Sequence, residues 1–600
     1  MRNLMKYISM VSMVLASSLL SMSCSRSEAV SETKEGIDKN NSYDILGDLE
    51  TPTYQDLVKI KTVQADRHPW TDTYWPLTEQ GLSRRWEKTD KTIGLSEFFA
   101  TQTEQNKAKA VDPMLSPADK YDILYRWRHS TVLDEAYNAQ LITAWDDLDN
   151  SLDLNAEVST SRALVKTTAN QFRSASLANF RKQFPMSSDG WSSFLYYSSV
   201  DQYMFLDKEN SGEDWSWMGS CHGWAPAALM AETPKHAVLA KFEDREVLVT
   251  EGDIRGLLTK SWADHSPSKE QFFVGRRCNK NIEDPEGEIP ADENGRGYYG
   301  EITRGEAKMP FFVNAELVTG FTRPSDRIFP ISFKEGERAS KYLLETYMSN
   351  NKRNYVLSNS IESIRAYIVS QDRTNVEDLS SNVEMLGCWD VNPATLHLAL
   401  LEKVGKDKLG LVMDRTRTAQ VWNQPVYKAK FVIGDLIPIS KTSGDGRADF
   451  TKYIAKVEAK VSWISEPAEP QMAYTKKFED ELVETSHYTY VLEFDRDYKM
   501  IGGSWGDLAE TEITMDQGTP KERKEKVWTQ VHDKSQVTPD FLYGFTKGSL
   551  PVDDVANGFD YSGIIGKIHA CSLAEKTDGK MKVGTQELTY ANCDLSKVTP

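Results

Sequence analysis

The 600-residue chain carries 71 Lys and Arg against 89 Asp and Glu, a formal charge of −18, with 40% hydrophobic residues, 10% aromatics and 15 Trp. A disordered chain would be depleted in aromatics, and roughly 100–200 residues per domain predicts about three to five structural units, so neither a disordered tail nor one small domain fits. The negative charge repels a phosphate backbone, and short mixed runs such as 521–526 form no basic patch, so nucleic acid is excluded as a partner.

Residues 1–23 read as a signal peptide: Arg2 and Lys6 form a basic head, Tyr7 to Leu20 an apolar stretch, and Ser21 and Ser23 the small residues of a cleavage site. The stretch is too short to span a bilayer. Leu20-Ser21-Met22-Ser23-Cys24 resembles the lipobox of bacterial lipoproteins, which implies acylation of Cys24 and a membrane partnership through that lipid. The expected location is the bacterial cell envelope, with plain secretion as the alternative, because Ser21 and Ser23 also satisfy ordinary signal cleavage. Removing residues 1–23 takes away two positive charges, Arg2 and Lys6, and moves the charge from −18 to −20.

Residues 24–50 are Ser-, Glu-, Asn- and Lys-rich and read as a polar tether. Residues 51–200 are predicted to be mainly helical. Turns around Trp70, Trp75 and Trp86 come first, and Ser116-Pro117-Ala118-Asp119 then opens a capped helix with Pro at its first position. Ile123, Leu124 and Trp127 recur there at helical spacing, and Ala139–Leu152 and Thr160–Phe180 are further amphipathic segments. Residues 201–545 read as a catalytic core with a β-rich half, and 546–600 as a C-terminal tail. Thr250–Trp262 reads as a helix and 279–296 as an acidic loop. Leu409–Met413, Val426–Ile433, Tyr453–Val461 and Tyr488–Phe494 read as strands. The fold class is therefore α+β.

Beyond Cys24 there are five cysteines: Cys221, Cys278, Cys388, Cys571 and Cys593. Export favours disulfides, and an odd count leaves one thiol over. Cys571 and Cys593 are close in sequence and are expected to pair, so the unpaired residue is Cys221, Cys278 or Cys388.

Cys221 follows Gly219-Ser220 and precedes a small, apolar, potentially helical run, Gly223 to Leu229. A thiol at a helix N-terminus feels the positive end of the dipole and unpaired N–H groups, which lower its pKa and supply part of an oxyanion site. Pro226 is tolerated only near the start of such a helix. His222 is a poor partner, since adjacent residues on a helix point about 100° apart. His397 lies 176 residues downstream in an apolar run, Asn392 to Leu400, that reads as a buried strand. Asp414 ends the run Leu409–Met413, and two adjacent strands would set its carboxylate beside His397 to orient the ring.

Further motifs carry a family resemblance. Val421-Trp422-Asn423-Gln424-Pro425-Val426 is similar to the elicitor segment of the oomycete cell-wall transglutaminases and their bacterial relatives. Trp217 to Ala228 resembles that family's nucleophile segment, Asn392 to His397 its histidine segment, and Ile501-Gly502-Gly503-Ser504-Trp505 and Pro539 to Tyr543 its later motifs. The likeness spans about residues 68–545. It implies a papain-like cysteine-enzyme fold with Cys221 as nucleophile, His397 as base and Asp414 as orienter. With Cys221 reserved for chemistry, Cys278 and Cys388 become an expected disulfide. Trp215 stands where papain-like proteases keep an oxyanion Gln, so Trp215, Trp217 and Trp224 are candidates for oxyanion donation or pocket walls.

The implied reaction is protein-glutamine γ-glutamyl transfer. A Cys221 thioester forms from a peptide-bound glutamine and a lysine or other primary amine resolves it, so protein substrates bearing glutamine and lysine are the expected partners. A cysteine peptidase or glutamine deamidase using the same triad, and an inactive surface binding protein, are the alternatives. This chemistry requires no cofactor and no metal. Asp284, Glu286, Glu288, Asp292 and Glu293 form the one loop considered for Ca2+, but their spacing matches no EF-hand and reads as a solvated loop.

Overall fold

A computed structural model describes residues 52–86, 93–151, 177–194, 217–267, 271–275, 299–304, 307–313, 327–332, 341–347, 353–358, 383–386, 391–415, 421–443, 451–515, 523–531, 538–539 and 541–596. The signal and tether, Cys24, Trp215, the acidic loop, Cys278, Cys388 and the segment 152–176 lie outside the described residues.

The helices used below are α1 (Leu95–Gln105), α2 (Pro117–His129), α3 (Glu135–Ser151), α4 (Cys221–Met230), α5 (Glu251–His265), α6 (Pro393–Ala399) and α7 (Gly566–Ser572). The capped start read at Ser116 is present: the Ser116 hydroxyl accepts from the Asp119 N–H at 3.0 Å, with Pro117 at the first helical position. Thr250 caps α5 in the same way, accepting from the Asp253 N–H at 3.1 Å. A cap satisfies a backbone donor that the helix itself leaves unpaired. These two helices are locked together by a fully buried ion pair, Lys120 Nζ to Asp253 Oδ2 at 2.5 Å.

Strands are numbered in chain order. β1 is Thr62–Gln64, β2 Ala237–Phe242, β3 Arg245–Val249 and β4 Gln271–Gly275. Six antiparallel strands between 299 and 386 form their own sheet: β5 Tyr299–Arg304, β6 Ala307–Val313, β7 Arg327–Ser332, β8 Lys341–Tyr347, β9 Arg353–Ser358 and β10 Val383–Leu386. The central sheet runs in the order β17 (Met500–Trp505), β16 (Val483–Phe494), β15 (Tyr453–Ile464), β12 (Asn423–Ile433), β11 (Leu411–Asp414), β20 (Phe541–Phe545), β4, with β13 (Ile437–Pro438) also pairing to β15; β14 (Thr442–Ser443), β19 (Arg523–Val531) and β18 (Asp507–Met515) make a separate three-stranded sheet. The tail is built in, since Gln586–Asp594 pairs in parallel with β2 and a disulfide joins Cys571 on α7 to Cys593. Helices beside antiparallel sheets make the chain α+β, as read from the sequence.

Because successive side chains on a strand point to opposite faces, the central sheet divides the core in two. Val412, Tyr427, Phe541, Tyr543 and Phe545 join one cluster with Trp224, Ala225, Ala227 and Ala228 of α4. Leu411, Met413, Ala429, Phe431 and Leu542 join the other with Leu396, Leu398 and Ala399 of α6. Helix α4 therefore rides on one face of β11 and β12, and α6 on the opposite face.

One reading from sequence is corrected here. Asn392 to Leu400 is not a strand: the Asn392 side chain accepts from the Ala394 N–H, Pro393 occupies the first turn, and His397 lies on helix α6. Asn-Pro is itself a helix-start signal, which here outweighs the apolar run. Truncating Lys120 to Met would leave Asp253 buried without its counter-charge. We expect a loss of about 3–5 kcal/mol in stability, read from urea denaturation of Lys120→Met against the parent protein.

Candidate active site

Helix α4 owes its position to two glycines and a proline. A Cβ on Gly219 would sit 2.2 Å from the Tyr74 carbonyl oxygen, and one on Gly223 2.1 Å from that of Thr259, so only glycine permits these backbone approaches. The Ser220 N–H donates to the Tyr74 carbonyl at 2.6 Å and the Leu77 N–H to that of Met218 at 2.9 Å, clamping the turn ahead of Cys221. Pro226 lacks the N–H that would bond the carbonyl of His222 four residues back. The Tyr543 hydroxyl on β20 donates to that carbonyl instead, at 3.0 Å, and ties the first turn of the helix to the sheet.

Cys221 is thereby presented at the helix N-terminus against the start of β12, where it meets Val421 and Asn423. It is the free cysteine among the described residues and is 6% exposed. The Asn423 Nδ2 donates to its sulfur at 3.4 Å, and the thiol donates to the Val421 carbonyl at 3.6 Å. Asn423 and Asp414 are directly opposed in register and share a face. Asp414 Oδ1 accepts the Trp422 N–H at 3.1 Å, and the Trp422 ring meets Tyr74 edge-on at 5.7 Å, forming an aromatic wall beside the turn.

Burial pushes the Cys221 thiol up to about 11; hydrogen bonds from Asn423 oppose this, and the negative charges of Glu466 and Asp414 add to it. Cys221 thus rests as a thiol, contrary to the lowering expected of a helix N-terminus, because loss of water outweighs the dipole. Burial also holds Tyr543 well above the ordinary phenol value, with Cys221 and Asp414 contributing, so its hydroxyl stays protonated as a donor. Burial raises Glu466, which accepts from Gln424 Nε2 at 2.7 Å.

His397 is not part of this constellation. Its Nδ1 meets the Tyr490 hydroxyl at 2.6 Å and its ring packs on Phe431 at 4.5 Å, both among the side chains of the opposite face. Burial alone drives its pKa down to about 3, with no carboxylate or thiol acting on it. A general base needs a pKa near the working pH, so His397 is placed as a neutral core residue. The structure brings Cys221 and Asp414 together and leaves His397 across the sheet, so the three do not assemble as a triad. The sequence reading failed because it took α6 for a strand neighbouring β11.

Of the aromatic candidates, Trp224 is fully buried, donates to the Trp70 carbonyl at 3.3 Å and is core, whereas Trp217 is half-buried against the same cluster. Sequence reasoning missed the roles of Asn423, Tyr543 and Tyr74. For Asn423 the signal was available: a hairpin closing between Asp414 and the Val421 to Val426 motif sets the two residues face to face. Among the described residues no group of three or more His, Cys, Asp or Glu could hold a metal ion.

Residues 366–515 match the family described as Transglutaminase elicitor. The elicitor-type transglutaminase resemblance is therefore shown over the quarter of the chain that carries α6, β11, β12, β15 and β16, including Asp414 and Asn423. Cys221 lies outside that stretch and is joined to it by the contacts above. The crystal structure of the GP42 transglutaminase from Phytophthora sojae is similar at 14% identity and a TM-score of 0.39, covering 87% of this chain and 94% of that one. A likeness that loose carries no inference about fold or activity. No curated protein matches the chain.

Two pH dependences follow. Alkylation of Cys221 by iodoacetamide should be slow through pH 8–9 and accelerate only toward about 11, against an ordinary thiol value of 9.0. A midpoint at or below 9 would contradict the buried resting thiol. The imidazole resonances of His397 should stay those of the neutral ring from pH 8 down to 4, against an ordinary value of 6.5. Since the folded ring resists protonation, this residue's contribution to stability is present above 6.5 and lost as pH falls toward about 3.

Proposed function

We propose that the protein is an acyltransferase of the transglutaminase type, built on a papain-like arrangement of a cysteine helix against an antiparallel sheet. The observation that supports it best is the free Cys221 thiol at the start of α4, bonded to Asn423 and facing Asp414 inside the segment that matches the elicitor family.

In this reading the Cys221 sulfur attacks the carboxamide carbon of a peptide-bound glutamine, the carbonyl electron pair moves to oxygen, and the thiol proton passes to the departing nitrogen. Ammonia leaves and a thioester remains. A lysine ε-amine then attacks the thioester carbon, the C–S bond breaks, and a proton returns to sulfur, leaving an isopeptide bond. Asp414 is the carboxylate beside the sulfur that carries the proton. The partly buried wall of Tyr74 and Trp422 restricts water, which favours amine over hydrolysis. His397 serves to hold Tyr490. The chain is proposed to act on exported protein substrates from the cell envelope, tethered through Cys24.

The placement of His397 across the sheet favours a second reading, a surface binding protein without catalysis. Incorporation of a fluorescent primary amine into a glutamine peptide separates the two. Cys221→Ala should abolish incorporation, Asp414→Asn should lower it by about 100-fold or more, and His397→Gln should keep most of it per folded molecule. Peptide cleavage or ammonia release without amine uptake would make the protein a hydrolase. No reaction in the parent protein would favour the binding reading.

A further inference from the structure

We propose that Asn423 reads the acyl donor as a primary carboxamide, its Nδ2 donating to the carbonyl oxygen and its Oδ1 accepting a carboxamide N–H. This rests on the acyl-transfer reading and names the residue that would make glutamine the donor. Asn423 is 2% exposed, and its Oδ1 is buried with no hydrogen-bond partner. Buried polar atoms are nearly always paired, so an unpaired acceptor beside a nucleophile is suited to receive a ligand's donor. The other end of the same amide reaches the nucleophile, Nδ2 to sulfur at 3.4 Å. One donor and one acceptor, fixed in a plane next to the sulfur, match the edge of a primary carboxamide, which offers one acceptor and one donor at the same spacing. A carboxylate offers no N–H, and an ester none either.

Across the hairpin, Asp414 Oδ1 is engaged by the Trp422 N–H. The first N–H of α4, on Cys221, has no carbonyl within the helix to meet and lies at the helix's positive end. As the C–S bond forms and the carbonyl pair moves to oxygen, that oxygen is received by the Cys221 N–H on one side and Asn423 Nδ2 on the other. Asn423 Oδ1 holds the nitrogen until the C–N bond breaks and ammonia leaves with the thiol proton. Asn423 itself gains and loses no atom.

The test compares the parent protein, Asn423→Ala and Asn423→Asp on two donors: a glutamine peptide, and the same peptide carrying a γ-p-nitrophenyl ester, which lacks the N–H and has a leaving group that needs no help. Asn423→Ala should lower kcat/KM on the carboxamide about 1000-fold or more, since the oxyanion donor and the amide acceptor are both lost, and on the ester about 100-fold, since only the oxyanion donor is lost. Asn423→Asp, able to accept but not to donate, should fail to restore the carboxamide reaction. Ester turnover that Cys221→Ala removes shows that each variant is folded with its nucleophile intact. An equal loss on both donors, or no loss on the carboxamide, overturns the assignment. A parent protein that turns over neither donor overturns the acyl-transfer reading instead.

Discussion

A missing hydrogen-bond donor organises this molecule. Pro226 cannot bond the His222 carbonyl, and a carbonyl left unpaired where the helix meets the sheet is costly, so the Tyr543 hydroxyl supplies the bond from the sheet. Helix α4 is thereby fastened at the turn that carries Cys221. The glycines at 219 and 223 let that turn and the next lie against backbone at Tyr74 and Thr259. Moving any of these contacts would displace the sulfur from Asn423 and Asp414, whose own positions are set by strand register.

The same sheet that seats the helix also partitions the chemistry. Alternation along β11 sends Val412 and Asp414 toward α4 and Leu411 and Met413 toward α6, so a residue on α6 reaches the thiol only through the sheet. His397 is accordingly dry, neutral and bonded to Tyr490, and the groups that perturb Cys221 are an amide and two carboxylates. Desolvation sets both extremes, a thiol held protonated and an imidazole held unprotonated, because each ring or sulfur sits where water cannot stabilise charge.

Much of this was legible from the residues. The capped helices at Ser116 and Thr250, the strands through 409–494 and the Cys571–Cys593 bridge follow from local signals or spacing, whereas the free thiol was assigned to Cys221 only through the family resemblance. Two readings were overturned: burial raised the Cys221 thiol where a helix N-terminus was expected to lower it, and one secondary-structure choice was wrong. A nine-residue apolar run carries the same hydrophobicity as buried strand or buried helix, and only the Asn392-Pro393 start argued for the helix. That one choice moved His397 from beside Asp414 to the far face.

The amino-acid sequence by itself determined the α+β class, the candidate residues and the motifs by which residues 366–515 resemble a transglutaminase family, because composition, caps and motifs are properties of neighbouring residues. Only the tertiary structure decided which side chains share a site. That decision depends on strand register and on which face of the sheet each helix covers, and a sheet side chain changes face with every residue along the strand.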